Sequence, residues 1–516
     1  MGAGLGSLSF AFAWSVAFVT GFISLSCEVL WYRAFSVGSG GAPPAFGMML
    51  GFYLLGIAGG AAAARRVCRG AASAGDARFL APLGAFVLAA NALSYLVVPA
   101  LARTVTAAPW QAALPLVAVA AGSLGAILPL ASHFGVAPDD CAGSRVSLIF
   151  AGNIAGAAIG TLLTGYLLMD LWPLRDIALL MAALGGAAAA AVFSRSSLPR
   201  NRRLAALSAC GAFMIAAGAA RGVLFDGLWE RLTFRRDFAE GRRFVSVREN
   251  RNDVVCVAAD LRVYGGGLYD GALSTGLLDD VNNVWRAYAL AAYVRSPREV
   301  LVIGMSGGAW SQVIAHLPGV ERVTIVEINP GYLDVIAAHP QVAGLLRNPR
   351  VQIAIDDGRR WLRRHPDRTF DLIVQNTSQH WRAHSTHLLA REHLELAKSR
   401  LRPGGCFYFN TTDSPEVQAT GLATFAHAGL LWNFMLLSDT PIMADEARFR
   451  GVLRSFRIEG RPVLDFGQPG EQEAFEAAVA KSLKLVPRGD IEARSAGAKV
   501  ITDDNMASEW APAGHP

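Results

Sequence analysis

Three stretches carry side chains that could do chemistry, and each begins where an apolar run stops. The first is FDLIVQNTSQHW (370–381), in which Leu372-Ile373-Val374 gives way to Gln375, Asn376, Ser378, Gln379 and His380. Amides donate and accept hydrogen bonds, but only a histidine takes up a proton near neutral pH. His380 and His384 are therefore the candidate proton acceptors, with Asn376 and Gln379 as polar partners. His387 and His393 lie close behind, and on a helix positions 380, 384 and 387 would share one face, which is a metal-binding spacing. Glu392 is the one acidic neighbour in that run, so no metal is expected. Trp381 is a candidate cover for a substrate, or a packing residue.

The second stretch is REVLVIGMSGGAWSQVIAHLPGVERVTIVEINPG (298–331). Its spacing predicts a buried strand, a turn through Gly304, Gly307 and Gly308, a helix, and a second strand ending in Glu327. Glycines let backbone N–H groups approach a ligand. An acid at the tip of the second strand, about 20 residues on, can accept from ribose hydroxyls. The third stretch, VQIAIDDGRRWL (351–362), ends a further strand in Asp356 and Asp357. One of them can accept from an adenine amino group while the other caps the next helix.

The elements that must position these groups lie in the second of two unlike halves. The chain has 516 residues, 53% hydrophobic and only 17% charged, against about a quarter charged in typical soluble chains. The deficit falls in the first 225 residues. The net charge of +6 comes almost entirely from arginine, without a basic run interleaved with aromatics, which excludes nucleic acid as an expected partner. Six scattered cysteines lack CxxC spacing and suggest neither a disulfide framework nor zinc. Seven apolar segments cover roughly 8–30, 44–64, 79–101, 109–131, 146–169, 175–193 and 204–224. A helix needs about 20 apolar residues to cross a bilayer, so a multi-span helical membrane bundle is expected. Gly152, Gly156 and Gly160 form one stripe that reads as helix packing. Glu28 reads either as an intramembrane contact or as an interfacial pair with Arg33. Loop arginines (Arg65, Arg66, Arg69 and Arg78; Arg195, Arg200, Arg202 and Arg203) place those loops in the cytoplasm and everything after the seventh span opposite.

From 226 onward the composition is that of a soluble domain. Residues 226–297 predict a small β-rich part: alternating residues at 243–263, then YGGGLYDGALST and a helical VNNVWRAYALAAYV. Residues 298–516 predict a Rossmann-like, doubly wound α/β sheet, with FDLIVQ as fourth strand and LRPGGCFYFNT as fifth.

The order GMSGG, VEIN, DDG, FDLIV, LRPGG resembles the spermidine synthases, or polyamine aminopropyltransferases, and the preceding YDG hairpin resembles their N-terminal β-domain. A membrane region fused ahead resembles bacterial membrane proteins of spermidine-synthase type, which implies a bacterial inner membrane. The resemblance covers about 240–412. It implies that Glu327 holds a ribose, that Asp356 or Asp357 holds adenine, and that Asp270 of the YDG counts among the substrate-binding residues. It implies decarboxylated S-adenosylmethionine as substrate, attacked by an amine with release of methylthioadenosine. The acid-bearing half of the family pattern is replaced. Gly307 stands where an acid would grip an ammonium, and Asn376-Thr377-Ser378-Gln379-His380 stands where the family has Asp-Ser-Ser/Thr-Asp-Pro. Amides neither attract polyamines nor take protons. Arg286 or Arg382 could instead clasp the carboxylate of intact S-adenosylmethionine. The reading is a membrane-bound enzyme that breaks a sulfonium carbon–sulfur bond, by aminopropyl or aminocarboxypropyl transfer or by simple cleavage. The alternatives are a methyltransferase on a membrane-associated acceptor and a transporter or sensor with a silent nucleoside domain. A homo-oligomer is compatible with any of these.

Overall fold

The structure, a computed structural model, describes residues 9–69, 80–137, 139–376 and 379–509. Thr377, Ser378 and Arg78 of the sequence reading lie outside the described residues. The chain divides into two compact units. The first is residues 1–243 with 249–253, and the second is 244–248 with the rest of the chain.

Among the described residues, the first unit contains seven helices long and apolar enough to cross a membrane. Three are α1 (Phe10–Ser39), α2 (Pro44–Arg69) and α3 (Leu80–Thr104). The others span Trp110–Gly135, Ala142–Leu171, Leu174–Ser194 and Arg200–Leu224. Glycines set the closest approaches. A Cβ on Gly156 or Gly160 would overlap the carbonyl oxygens of Phe18 and Phe22 on α1, and one on Gly60 would overlap Gly122 O. Backbone-to-backbone contact of this kind brings the helices close enough for dense dispersion contacts. Arg33 does not pair with Glu28. It donates to Asn250 O (3.0 Å) and Arg251 O (2.6 Å) and lies 3.8 Å from Asp253. The hairpin residues 249–253 share its unit, which i,i+5 spacing along one helix could not reveal. Glu28 has no ion-pair or hydrogen-bond partner among the described residues.

The second unit starts with a four-stranded sheet of β1 (Phe244–Glu249), β2 (Val254–Ala258), β3 (Arg262–Gly265) and β4 (Leu268–Ala272), in that spatial order. Buried Asn282 ties the end of β4 to the loop beyond it. Its Oδ1 accepts from Ala272 N and its Nδ2 donates to Ala272 O, both at 3.0 Å. The helix expected after this loop is two single turns, Trp285–Tyr288 and Leu290–Tyr293.

The main sheet has parallel strands β5 (Glu299–Ile303), β6 (Arg322–Glu327), β7 (Val351–Ile355), β8 (Phe370–Gln375) and β9 (Leu401–Asn410). The antiparallel pair β10 (His427–Leu431) and β11 (Phe434–Ser438) and a short edge strand Val486–Pro487 complete it. The spatial order is edge, β10, β11, β9, β8, β5, β6, β7, with β11 antiparallel to β9. The doubly wound expectation is corrected in one respect: the sheet is mixed, extended past β9 by a hairpin. The strand order reverses between β5 and β8, and open α/β sheets bind ligands in the crevice at such a switch point.

Gly156→Val should lower the melting temperature of the detergent-solubilised protein, consistent with an overpacking cost of about 1–3 kcal/mol. Gly211→Ala, where a Cβ meets nothing within 4 Å, is the control that leaves it unchanged.

Candidate functional site

The crevice is built from the ends of β5, β6 and β8. β5 ends in Gly304 (φ +84°), Ser306 (φ +50°) and Gly308 (φ +81°), so the chain turns sharply through the left-handed region. A Cβ on Gly304 would stand 2.7 Å from Asn376 O, and Asn376 N donates to Ile303 O (3.1 Å). The glycine turn and the polar end of β8 therefore meet across the switch point. A side chain on Gly307 would strike Leu273 and Val263, and one on Gly308 would strike Ile336 and Leu345.

Glu327, only 4% exposed, is the hub. Its Oε2 accepts from Met305 N (2.7 Å) and its Oε1 from Asn329 N (2.9 Å). Burial pushes its carboxyl up to about 7, with these backbone donors opposing and the Asp270 charge adding to the rise. Asp270 is raised too, again by burial, while Tyr332 and Arg382 lower it. The Tyr332 hydroxyl donates to Asp270 Oδ2, and Ser306 Oγ donates to Asp270 O. Two carboxylates that the sequence reading placed in separate motifs thus share one buried corner, and Arg382 is close enough to offset them.

The other candidates are distributed around this corner. Asp357 caps the helix Gly358–Arg364 through Arg360 N (2.7 Å). Asp356 is ion-paired with Arg360 and lies 3.7 Å from Arg364. Gln375 is fully buried between Leu388 O (2.8 Å) and His393 Nε2 (2.6 Å), so it supports β8 and does not face the crevice. Gln379 lends its carbonyl to Arg382 N (3.0 Å). His380 is held by Thr412: its backbone N–H lies 3.2 Å and its Nδ1 2.6 Å from Thr412 Oγ1. Burial lowers its pKa. His384 is exposed at φ +66° and parallels His387, with ring centroids 6.2 Å apart. The expected shared helical face of 380, 384 and 387 is absent, because this segment forms turns and a 3-10 helix over Ser385–Leu388. Among the described residues, three or more His, Cys, Asp or Glu nowhere gather as a metal site.

Arg286, 9% exposed, lies between the rings of Phe434 (4.8 Å), Trp432 (4.9 Å) and Trp310 (5.1 Å). Such stacking suits a planar, weakly hydrated guanidinium. Its Nε donates to Asn283 O (3.0 Å) and its Nη1 to Asn433 Oδ1 (2.5 Å).

The acidic tail folds over the segment after β8. Asp503 takes two bonds of 2.6 Å from Arg359, and Glu509 accepts from His384 N (2.9 Å) and Thr386 Oγ1 (2.6 Å). Arg359 holds Asp503 below the usual carboxylate range. Sequence reasoning missed Ser306, Tyr332, Asn410, Thr412, Asn433 and Glu509. For Asn410 and Thr412 a signal existed, since polar residues ending a buried parallel strand line such crevices.

A glycine turn, a buried acid at the second strand tip and a polar fourth strand end are gathered at one switch point of an α/β sheet, where such sheets bind their ligands. Residues 288–428, within the second unit, match the spermine/spermidine synthase domain. The chain is 30% identical to the polyamine aminopropyltransferase of Mycobacterium tuberculosis over 150 residues, covering 28% of each chain. It is 28% identical over 271 residues to polyamine aminopropyltransferase 2 of Streptomyces coelicolor, covering 51% of this chain and 48% of that one. It is 36% identical over 114 residues to the spermidine synthase of Coffea arabica, covering 22% and 35%. The chain thus spans about half or less of each of these relatives. A spermidine synthase crystallised with the transition-state analogue AdoDATO aligns at 14% identity and TM-score 0.33, covering 46% of this chain and 85% of that one.

The geometry sets two measurable outcomes. A carboxyl whose folded value lies near 7 rather than 4.5 makes the folded form bind the extra proton, so stability falls as pH rises through that window. Melting between pH 5 and 7 should show this slope, and Glu327→Gln should flatten it. Asp503→Asn should speed backbone hydrogen exchange over 379–388 while leaving β5 and β6 protected.

Proposed function

We propose that the second unit is an aminopropyltransferase-like enzyme in a membrane-bound chain. Its substrate is a sulfonium nucleoside, S-adenosylmethionine or its decarboxylated form. The observation carrying this reading is Glu327, buried at the tip of β6 and facing the glycine turn at the switch point. That carboxyl is placed to accept from ribose hydroxyls, and the backbone N–H groups beside it pre-orient its oxygens. Seven apolar helices ahead of it support a bilayer as the chain's surroundings.

In the reaction, the lone pair of a nucleophile forms a bond to the chain carbon beside the sulfur. The carbon–sulfur pair returns to sulfur, discharging the sulfonium and leaving methylthioadenosine as a neutral thioether. Where the nucleophile is an amine it sheds one proton. His380 suits that proton: burial keeps its ring neutral, and Thr412 on Nδ1 leaves Nε2 for the exchange. Asp270 and Glu327 share a buried corner, which favours holding a cationic sulfur centre.

Purified full-length protein incubated with S-adenosylmethionine, and separately with the decarboxylated form, should yield methylthioadenosine. S-adenosylhomocysteine as the product would instead identify a methyltransferase. Glu327→Ala should cost about 100-fold in kcat/KM through lost substrate orientation. The pH–rate profile should show a limb below the ordinary histidine value of 6.5, as His380 gains its proton, beside any limb near 7 that Glu327 sets. The histidine limb should vanish in His380→Ala.

A further inference from the structure

The buried guanidinium of Arg286 fixes the direction of a row of three amides that ends in the crevice. An arginine has no acceptor, so Asn433 must turn Oδ1 towards Nη1 (2.5 Å). Its Nδ2 then points the other way and donates to Asn410 Oδ1 at 3.0 Å. The same oxygen receives the backbone N–H of Thr412 at 2.8 Å, a second donor that cannot be reversed. Asn410 is left with Nδ2 to offer, and that nitrogen stands 3.5 Å from Asn376 Oδ1. Asn376 can then present only Nδ2 onward, and this donor has no partner among the described residues. The two ends of an amide are nearly isosteric, so neighbours decide which way it faces. Here Arg286 and the Thr412 amide settle the orientation. Each bond also polarises the next, so the positive charge strengthens the terminal donor.

Arg286 itself is committed to its aromatic box and to Asn283 and Asn433. It acts through the relay as a positioning residue and does not clasp a substrate. Asn376, by contrast, sits at the switch point against the glycine turn. A donor there repels an ammonium and makes a charge-assisted bond to a carboxylate.

We infer that the Arg286–Asn433–Asn410–Asn376 relay makes Asn376 a selector for a substrate carrying a carboxylate: the intact amino-acid chain of S-adenosylmethionine rather than its decarboxylated counterpart. This rests on the nucleoside reading above. Asn376→Asp keeps an oxygen for Asn410 Nδ2 and replaces the free donor with a charge that prefers an ammonium.

The test is calorimetry on full-length protein in detergent with three ligands: methylthioadenosine, S-adenosylmethionine and the decarboxylated form. Methylthioadenosine carries the nucleoside without the chain and reports folding and the nucleoside site in every variant. The wild type should bind S-adenosylmethionine about tenfold or more tighter than the decarboxylated form, the value of a hydrogen bond to a charged group. Asn376→Asp should reverse that order, and Asn376→Ala should bring the two close together, with methylthioadenosine affinity unchanged in both. A wild type that prefers the decarboxylated form, or variants that keep the wild-type ratio while still binding methylthioadenosine, would overturn the selector. A wild type that binds none of the three overturns the nucleoside reading and the selector with it.

Discussion

A carboxylate buried at the ends of two parallel strands is the constraint from which the second unit is organised. Glu327 cannot be left without donors in that position, because an unpaired buried charge is far costlier than any turn. The donors at hand are backbone N–H groups of Met305 and Asn329, so both loops must bend to aim them. That bend explains the left-handed residues between Gly304 and Gly308 and the close approach of Gly304 to Asn376. Even with these donors, burial leaves the carboxyl raised to about 7, so it takes up a proton far more readily than an exposed glutamate.

The second organising charge is Arg286, on the opposite side of the strand-order reversal. Three aromatic faces and two oxygens compensate its burial. One of those oxygens comes from Asn433, in the turn joining β10 to β11, and so requires the antiparallel hairpin beyond β9. The mixed sheet thus does more than lengthen a parallel core. It brings an amide and an exposed indole, Trp432, to the same rim as the polar end of β8.

Much of the parallel core was readable because its strands are largely apolar runs that stop abruptly: Val300–Ile303 at the glycine turn, Val323–Val326 at Glu327 and Leu372–Val374 at Gln375. The hairpin lacked such a stop: β10 and β11 are joined by Trp432-Asn433, without Gly or Pro, and the left-handed Trp432 is an atypical turn residue. Asp270 was noticed for its motif, yet its neighbour Tyr332 lies 62 residues away and no spacing predicts that contact. Likewise the acidic tail at 500–510 could be read as one that folds back, but Asp503 meets Arg359 across 144 residues and no spacing names that partner. The histidine spacing misled for a local reason. A helical period was assumed where His384 takes a left-handed conformation that ends any such run.

Given these two charges, the three amides at the ends of β8 and β9 and in the β10–β11 turn are oriented as one row. Asn376, Asn410 and Asn433 hydrogen-bond in series, and each orientation depends on the next. A carboxylate at Asn433 would meet Arg286 but turn an oxygen towards Asn410 Oδ1, which the Thr412 N–H already holds in place. Two facing acceptors cannot bond, and the row would break there. A carboxylate at Asn410 would remove the Nδ2 donor, and Asn376 would have to turn its own Nδ2 towards it. The orientation of all three amides therefore follows from the buried arginine and the Thr412 N–H. The amides behind Asn376 are thus aimed by the hydrogen-bonding requirements of Arg286.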